Sequence, residues 1–297
     1  MKKTDSRVVR GCISATLGAM CWGVSGTFSQ FIFMNWDVSS AWLSCIRMLF
    51  SGILLTLVAL PKYSRQFRDI WKYPRDLGRV VIYGLCGLLL CNSAYAAGIY
   101  HSNAATTTVL QTLNVVFIMV IACLQTRRKP RHNEFFSVLL ALIGTYLLVT
   151  GGDPRQMILS PQGLFWGLTT AVGATIYTTV GRPLLQRWNQ GVILGIAMIF
   201  AGIVINCITR SWTIQVSLPM VGWLAVGVTV VIGSLAFFLF LQGIRDAGPV
   251  RASILSVGEP LVAALLGVVW LGDSFSLMQL VGFAAILAIV FLLAKDE

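Results

Sequence analysis

The feature that most limits what this chain can become is a train of ten long apolar stretches, at 11–32, 39–60, 78–100, 104–126, 134–151, 162–182, 190–208, 219–243, 250–271 and 275–294. Each is close to the roughly 20 residues an α-helix needs to cross a hydrocarbon core about 30 Å thick. Lipid offers backbone N–H and C=O groups no water to bond, so such spans must satisfy them internally as helices. The expected fold class is an all-α integral membrane protein with ten transmembrane helices. A chain that is 57% apolar and 11% charged, with mean hydropathy +0.80, is not made like a soluble domain. The first stretch follows basic residues as a signal peptide would, but it exceeds a typical signal core and nine spans follow, so it reads as an uncleaved helix.

Charge sets the orientation. Of 22 Lys and Arg, 19 precede the first span, follow the last, or fill every second gap, as do Lys62–Arg79, Arg127–Arg131, Arg182 with Arg187, and Arg245 with Arg251. The other side holds Arg155 and Arg210 alone. By the positive-inside rule both termini face the cytoplasm of a plasma membrane. The net charge of +11 lies in short juxtamembrane loops that meet lipid headgroups, which argues against nucleic acid as a partner. Only 61–77 is a long connection, and Phe67, Ile70 and Trp71 among its Arg and Lys suggest a helix lying in the interface.

The chain also repeats. Thr107–Ile121 aligns with Ala252–Leu266 at an offset of 145, the following spans align at nearly the same offset, and Trp22-Gly23 is echoed by Trp166-Gly167. Residues 1–155 and 156–297 therefore read as two five-helix repeats. Five is odd, so the second copy enters the membrane from the opposite side. Such inverted repeats enclose a site near the midplane between them, a transporter's geometry.

The seven cysteines all lie in apolar spans without a CxxC, and His101 and His132 have no acidic cluster beside them, so neither a metal site nor a cofactor is expected. No GxxxxGK[ST] supplies ATP hydrolysis. One carboxyl within the spans does not furnish the paired acids or the nucleophile and base of an intramembrane enzyme. The expected partners are a small-molecule substrate and the lipid bilayer, with a homodimer allowed.

That carboxyl is Glu259, the one acidic residue of 11 near the middle of a span, and its neighbour Pro260 is the one proline of nine in a span interior. Proline cannot donate to the carbonyl four residues back, at Ser256. Membranes tolerate such a breach where protein or a water-filled cavity covers it. A carboxyl at that depth costs roughly 2.5–3.5 kcal/mol on insertion scales. It either lines a transport cavity, as a cation contact or a proton carrier, or is a structural carboxyl bonded to a neighbouring helix at the kink. Arg47, the lone base inside a span, has three readings: snorkelling to the headgroups, substrate contact, or a pair with Glu259. Gln111 and Asn114 share a helix face, and Asn114 aligns with Glu259 across the repeat. Asn92, Tyr95, Tyr177 and Trp22 complete the candidate lining, each also open to an ordinary packing role.

The Trp22-Gly23 step, Arg47, and above all ASILSVGEPLVAALLGVVWLGD at 252–273 resemble the EamA family of the drug/metabolite transporter superfamily. The first repeat departs from the family pattern at Asn114-Val115, where a Ser-Pro step is common, and at Gln125-Thr126-Arg127, where Gly-Glu would close the span. The resemblance implies a ten-helix basket around a central cavity and a secondary, non-ATP transporter. Export of amino acids or related compounds by alternating access is the leading expectation. A lipid-linked carrier flippase or accessory membrane subunit is the alternative.

Overall fold

The computed structural model describes residues 2–127, 129, 131–153, 157–247, 251, 252 and 255–293. Arg128, Arg155 and Lys295 of the basic pattern, and Ser253 and Ile254 of the repeated segment, lie outside them. The apolar stretches are helices: α1 (Lys2–Asn35), α2 (Ser40–Asp69), α3 (Pro74–Ile82), α4 (Leu90–His101), α5 (Ala104–Gln111), α6 (Asn114–Thr126), α7 (His132–Thr150), α8 (Pro161–Arg187), α9 (Gln190–Thr209), α10 (Met220–Ala247), α11 (Gly258–Leu266) and α12 (Leu277–Leu293). Among the described residues there is no strand. Among the described residues, seven helical segments are long and apolar enough to cross a membrane; Gly258–Leu271 and Leu277–Leu292 are shorter apolar helices.

Local chemistry sets the ends. Ser39, Asn103, Ser160 and Asn189 cap α2, α5, α8 and α9 by accepting from the N–H of Trp42, Thr106, Gly163 and Gly191. Pro74 and Pro161 sit in first turns, where the missing N–H has no helical partner to lose. Helix α2 runs on past Pro61 and bends at Tyr63 (φ −123°, ψ 25°), so the connection at 61–77 is largely helical. Its Ile70 is buried whereas Trp71 is 63% exposed.

Helices pair as a two-fold relation between the halves demands. Helix α1 packs along α10, and α8 packs along α4; α2 lies on α9, and α7 on α12. Lipid tails are as apolar as leucine, so small residues and close backbone approach hold such pairs. Gly191 and Gly195 of α9 face Ala59 and Thr56 of α2, which accounts for that GxxxG spacing. Across the halves, Ser25 and Ser51 donate to the carbonyls of Thr229 and Val230, tethering α1 and α2 to α10.

Two crossings are interrupted near mid-span. Helix α11 starts at Gly258 after a turn at Ser256–Val257, and α6 starts at Asn114 after a turn at Thr112–Leu113. A wider, π-type turn follows α11 at Gly267–Leu271, and another joins α3 to α4 at Tyr83–Leu89 in a different crossing. Such irregularities are tolerated at membrane depth only where protein or a cavity surrounds them.

Candidate functional site

The break at α11 presents the buried carboxyl. Pro260 has no N–H for the Ser256 carbonyl, and Glu259 N donates to that oxygen instead at 3.0 Å. The turn thus tightens to a three-residue closure, and Glu259 and Pro260 are both buried in the first turn of α11. Helix α1 crosses at this point. A methyl group added at Gly23 would stand 2.6 Å from the Glu259 carbonyl oxygen, so the Trp22-Gly23 step lets the two backbones meet.

Glu259 is 7% exposed, and no hydrogen bond among the described residues reaches its carboxyl. Arg47 is the charged group near enough to act on it, and Tyr95, Cys91 and Tyr177 lie within electrostatic range of the same carboxyl as neutral polar groups. Arg47 does not snorkel. Its guanidinium points inward, the residue is 9% exposed, and Nη1 donates to Ser29 Oγ at 3.3 Å. Gly233 of α10 passes close to its other end. Among the described residues no ion pair within 4.0 Å joins Arg47 to Glu259; the two are charged neighbours rather than a bridge. Of the three readings of Arg47, a direct pair with Glu259 is not present among the described residues, and the guanidinium bonds Ser29 instead.

Tyr95 shares a hydrogen bond with Thr108 Oγ1 at 3.0 Å, which ties α4 to α5 beside this cluster. Tyr177 is half-buried and packs edge-on to Tyr83, with ring centroids 6.4 Å apart. Other candidates have bland partners. Asn92 donates to the Leu88 carbonyl of its own helix at 2.9 Å. Trp22 packs on Phe237 and Phe240 of α10, each 4.9 Å away. Gln111 and Asn114 are half-buried at the α5–α6 break, where the Asn114 carbonyl accepts from Thr175 of α8 at 3.4 Å. The structure thus brings Glu259, Arg47, Tyr95 and Tyr177 into one cluster, with Pro260 and Gly23 shaping its backbone. No hydrogen bond among the described residues draws Asn92, Gln111, Asn114 or Trp22 into it.

Several residues were not foreseen. Ser29 and Cys91 complete the cluster, and nothing in their types marks them; Thr108 joins them from the polar run of the fourth span. More telling is Gln30, 4% exposed in α1. It donates to both carboxylate oxygens of Asp273 (2.8 and 2.9 Å) and accepts from Ala104 N at 2.8 Å. One amide thereby joins α1, the start of α5 and the turn after α11, beginning at the residue next to Ser29. An amide within an apolar span was the available signal. At the opposite, basic end, Asp246 meets Arg7 at 3.0 Å and Arg10 at 3.6 Å. Asp76 there accepts from Arg187 at 2.9 Å and Trp188 Nε1 at 3.0 Å. Among the described residues no three His, Cys, Asp or Glu side chains form a group that could hold a metal ion.

A buried charged cluster at a helix break, between two matched halves and closed by polar ties at both ends, suits carriage of a small molecule. The comparisons agree. The EamA-like transporter family profile matches twice, over 9–150 and 161–295. An uncharacterized inner membrane transporter of Salmonella typhimurium, YicL, is 35% identical over 289 residues, covering 97% of this chain and 96% of its own. An uncharacterized transporter of Archaeoglobus fulgidus is 27% identical over 229 residues, covering 74% of this chain and 77% of its own. One solved crystal structure superposes with a TM-score of 0.64 at 19% identity, covering 98% of each chain, a likeness of fold alone. With its two matched halves spanning nearly every residue, the chain is a multi-pass membrane protein that belongs to the EamA-like transporter family.

Proposed function

We propose that this protein is a secondary transporter of ten membrane crossings, built from inverted repeats at 1–155 and 156–297, with both termini in the cytoplasm. It exports amino acids or related compounds by alternating access. The single observation that carries the reading is the buried Glu259 carboxyl, which accepts no hydrogen bond among the described residues and has Arg47 as its charged neighbour. A carboxylate and a guanidinium in one low-dielectric site complement a zwitterion: Glu259 faces its ammonium and Arg47 its carboxylate. Tyr95 and Tyr177 supply hydroxyls and apolar ring surface beside them. Gln30 with Asp273 closes one end of the path, and Asp246 with Arg7 and Arg10 ties the other. Opening one tie while keeping the other is the movement that alternating access requires.

The test is metabolite profiling of medium and cytosol from cells expressing wild-type protein or Glu259→Gln at matched levels. The reading predicts an amino acid or related amine that accumulates outside with wild type and not with the variant. Unchanged profiles in both compartments would sink it.

A further inference from the structure

A cleft of about 430 Å³ opens at the basic end of the molecule, far from Glu259, between α1, α2, α9 and α10. Its rim carries Arg7, Arg10, Lys62 and Arg245, and the one acid lining it is Asp246. Asp246 is already engaged by Arg7 and Arg10. Lys62 and Arg245 have no acidic partner among the described residues. Two cations thus line a shared concavity whose one acid is engaged by two other bases.

The wall beneath is apolar and follows the same helix faces. Val58 lies one turn from Lys62 on α2, and Phe238 lies two turns from Arg245 on α10. At 1.5 Å per residue these offsets are about 6 Å and about 10 Å toward the membrane interior. Val58 and Phe238 are 61% and 41% exposed. Cations at headgroup height above an exposed apolar wall match the profile of one amphiphile: a charged head over an acyl chain. Basic pockets between transmembrane helices at the cytoplasmic level favour anionic lipid heads. The amino-terminal end of α9, at Gln190 and Gly191, also lines the cleft and adds its positive dipole.

The geometry points to a specific binding site in this cleft for one anionic phospholipid of the inner leaflet, its phosphate held by Lys62 and Arg245 and its chain lying on Val58 and Phe238. The assignment to the inner leaflet rests on the orientation proposed above; the site itself does not depend on what is transported. By wedging between α2 and α10, a bound lipid bears on the two helices that also carry Arg47, near the far end of α2, and its neighbour Gly233, midway along α10.

Native mass spectrometry of the purified full chain tests this, with phosphatidylglycerol and phosphatidylcholine titrated separately. One phosphatidylglycerol per chain should be retained in preference to phosphatidylcholine. In Lys62→Gln/Arg245→Gln its affinity should fall about 30-fold, equal to about 2 kcal/mol at about 1.4 kcal/mol per decade, as expected for two juxtamembrane charges. Arg65→Gln/Arg68→Gln, which removes two bases of α2 that do not line the cleft, should leave it within about twofold. If the first double variant does not fold, Lys62→Gln alone should lower the affinity about fivefold. Equal retention of the two lipids, or unchanged affinity in the folded cleft variant, overturns the proposal. Displacement of the lipid by inorganic phosphate at equal concentration also overturns it, by making the cleft a site for a soluble anion. Because the readout is binding, its failure leaves the reading of Glu259 untouched, and the reverse holds too.

Discussion

The two interrupted spans, α5–α6 in the first repeat and α11 in the second, are matched in backbone and unlike in chemistry. In the second, Pro260 removes a donor and the Ser256 carbonyl turns to Glu259 N. In the first there is no proline. Thr112, Leu113, Val115 and Val116 each donate to a carbonyl three residues back, and Thr112 Oγ1 caps the Thr108 carbonyl at 3.1 Å. The ends match as well. Arg127 closes α6 with φ 48° and Gly272 closes the second copy with φ 74°, 145 residues apart. The break and the left-handed ending therefore belong to the architecture, and each repeat reaches them with different residues. At the break itself only the second repeat is acidic, since Asn114 stands in the first where the second has Glu259. The repeat supplies the break twice, and one copy alone places a carboxyl there.

The comparison can be broken most severely through Arg47. Arg47→Leu leaves the buried Glu259 carboxyl without its charged neighbour and should destabilise the fold by about 3 kcal/mol or more, read as lost monodisperse protein in detergent. Arg47→Leu combined with Glu259→Gln should recover most of that loss. If the double variant is no better than the single one, the two residues are not coupled.

Next in size is the effect of Glu259→Gln on activity. Transport should fall about 100-fold, the cost of about 2.7 kcal/mol in binding and carriage, while yield stays near wild type. The residual flux should lose its pH dependence. Asn114→Ala at the matched position should change flux less than about threefold, about 0.6 kcal/mol, because it removes no charge. Comparable losses from the two substitutions would mean that the first repeat carries substrate contacts as well.

The smaller predictions concern the backbone. Arg127→Gly should stabilise the chain by up to about 1 kcal/mol, since an L-residue in the left-handed region is strained where glycine is not. The same substitution logic run backwards, Gly272→Arg, should cost a similar amount in thermal unfolding. Pro260→Ala should shift stability by less than about 1 kcal/mol and leave the break in place, because the Ser256 carbonyl is already taken by Glu259 N. A straightened α11 in the structure of that variant would show that proline rather than architecture makes the break.

Much of this was legible in one dimension. Apolar length, the alternation of basic loops and the 145-residue offset are local or periodic properties, so windows along the chain expose them. Glu259 and Pro260 stand out because membrane depth makes a carboxyl and a missing donor expensive wherever they occur. The helical run past Pro61 and the break without proline at Thr112–Leu113 were not legible, since propensity ranks proline as a breaker and threonine only as a weak one.

What the sequence determined by itself is the solvent each segment requires, and hence a helical membrane protein of two related halves with one exceptional carboxyl. Only the tertiary structure decided which polar groups meet. It turned Arg47 inward to Ser29, joined Gln30 to Asp273 across 243 residues, and gathered Arg7, Arg10, Lys62 and Arg245 around one cleft. The physical reason is that burial in lipid is a property of each span, whereas a hydrogen bond or a shared field depends on which helices pack and at what rotation.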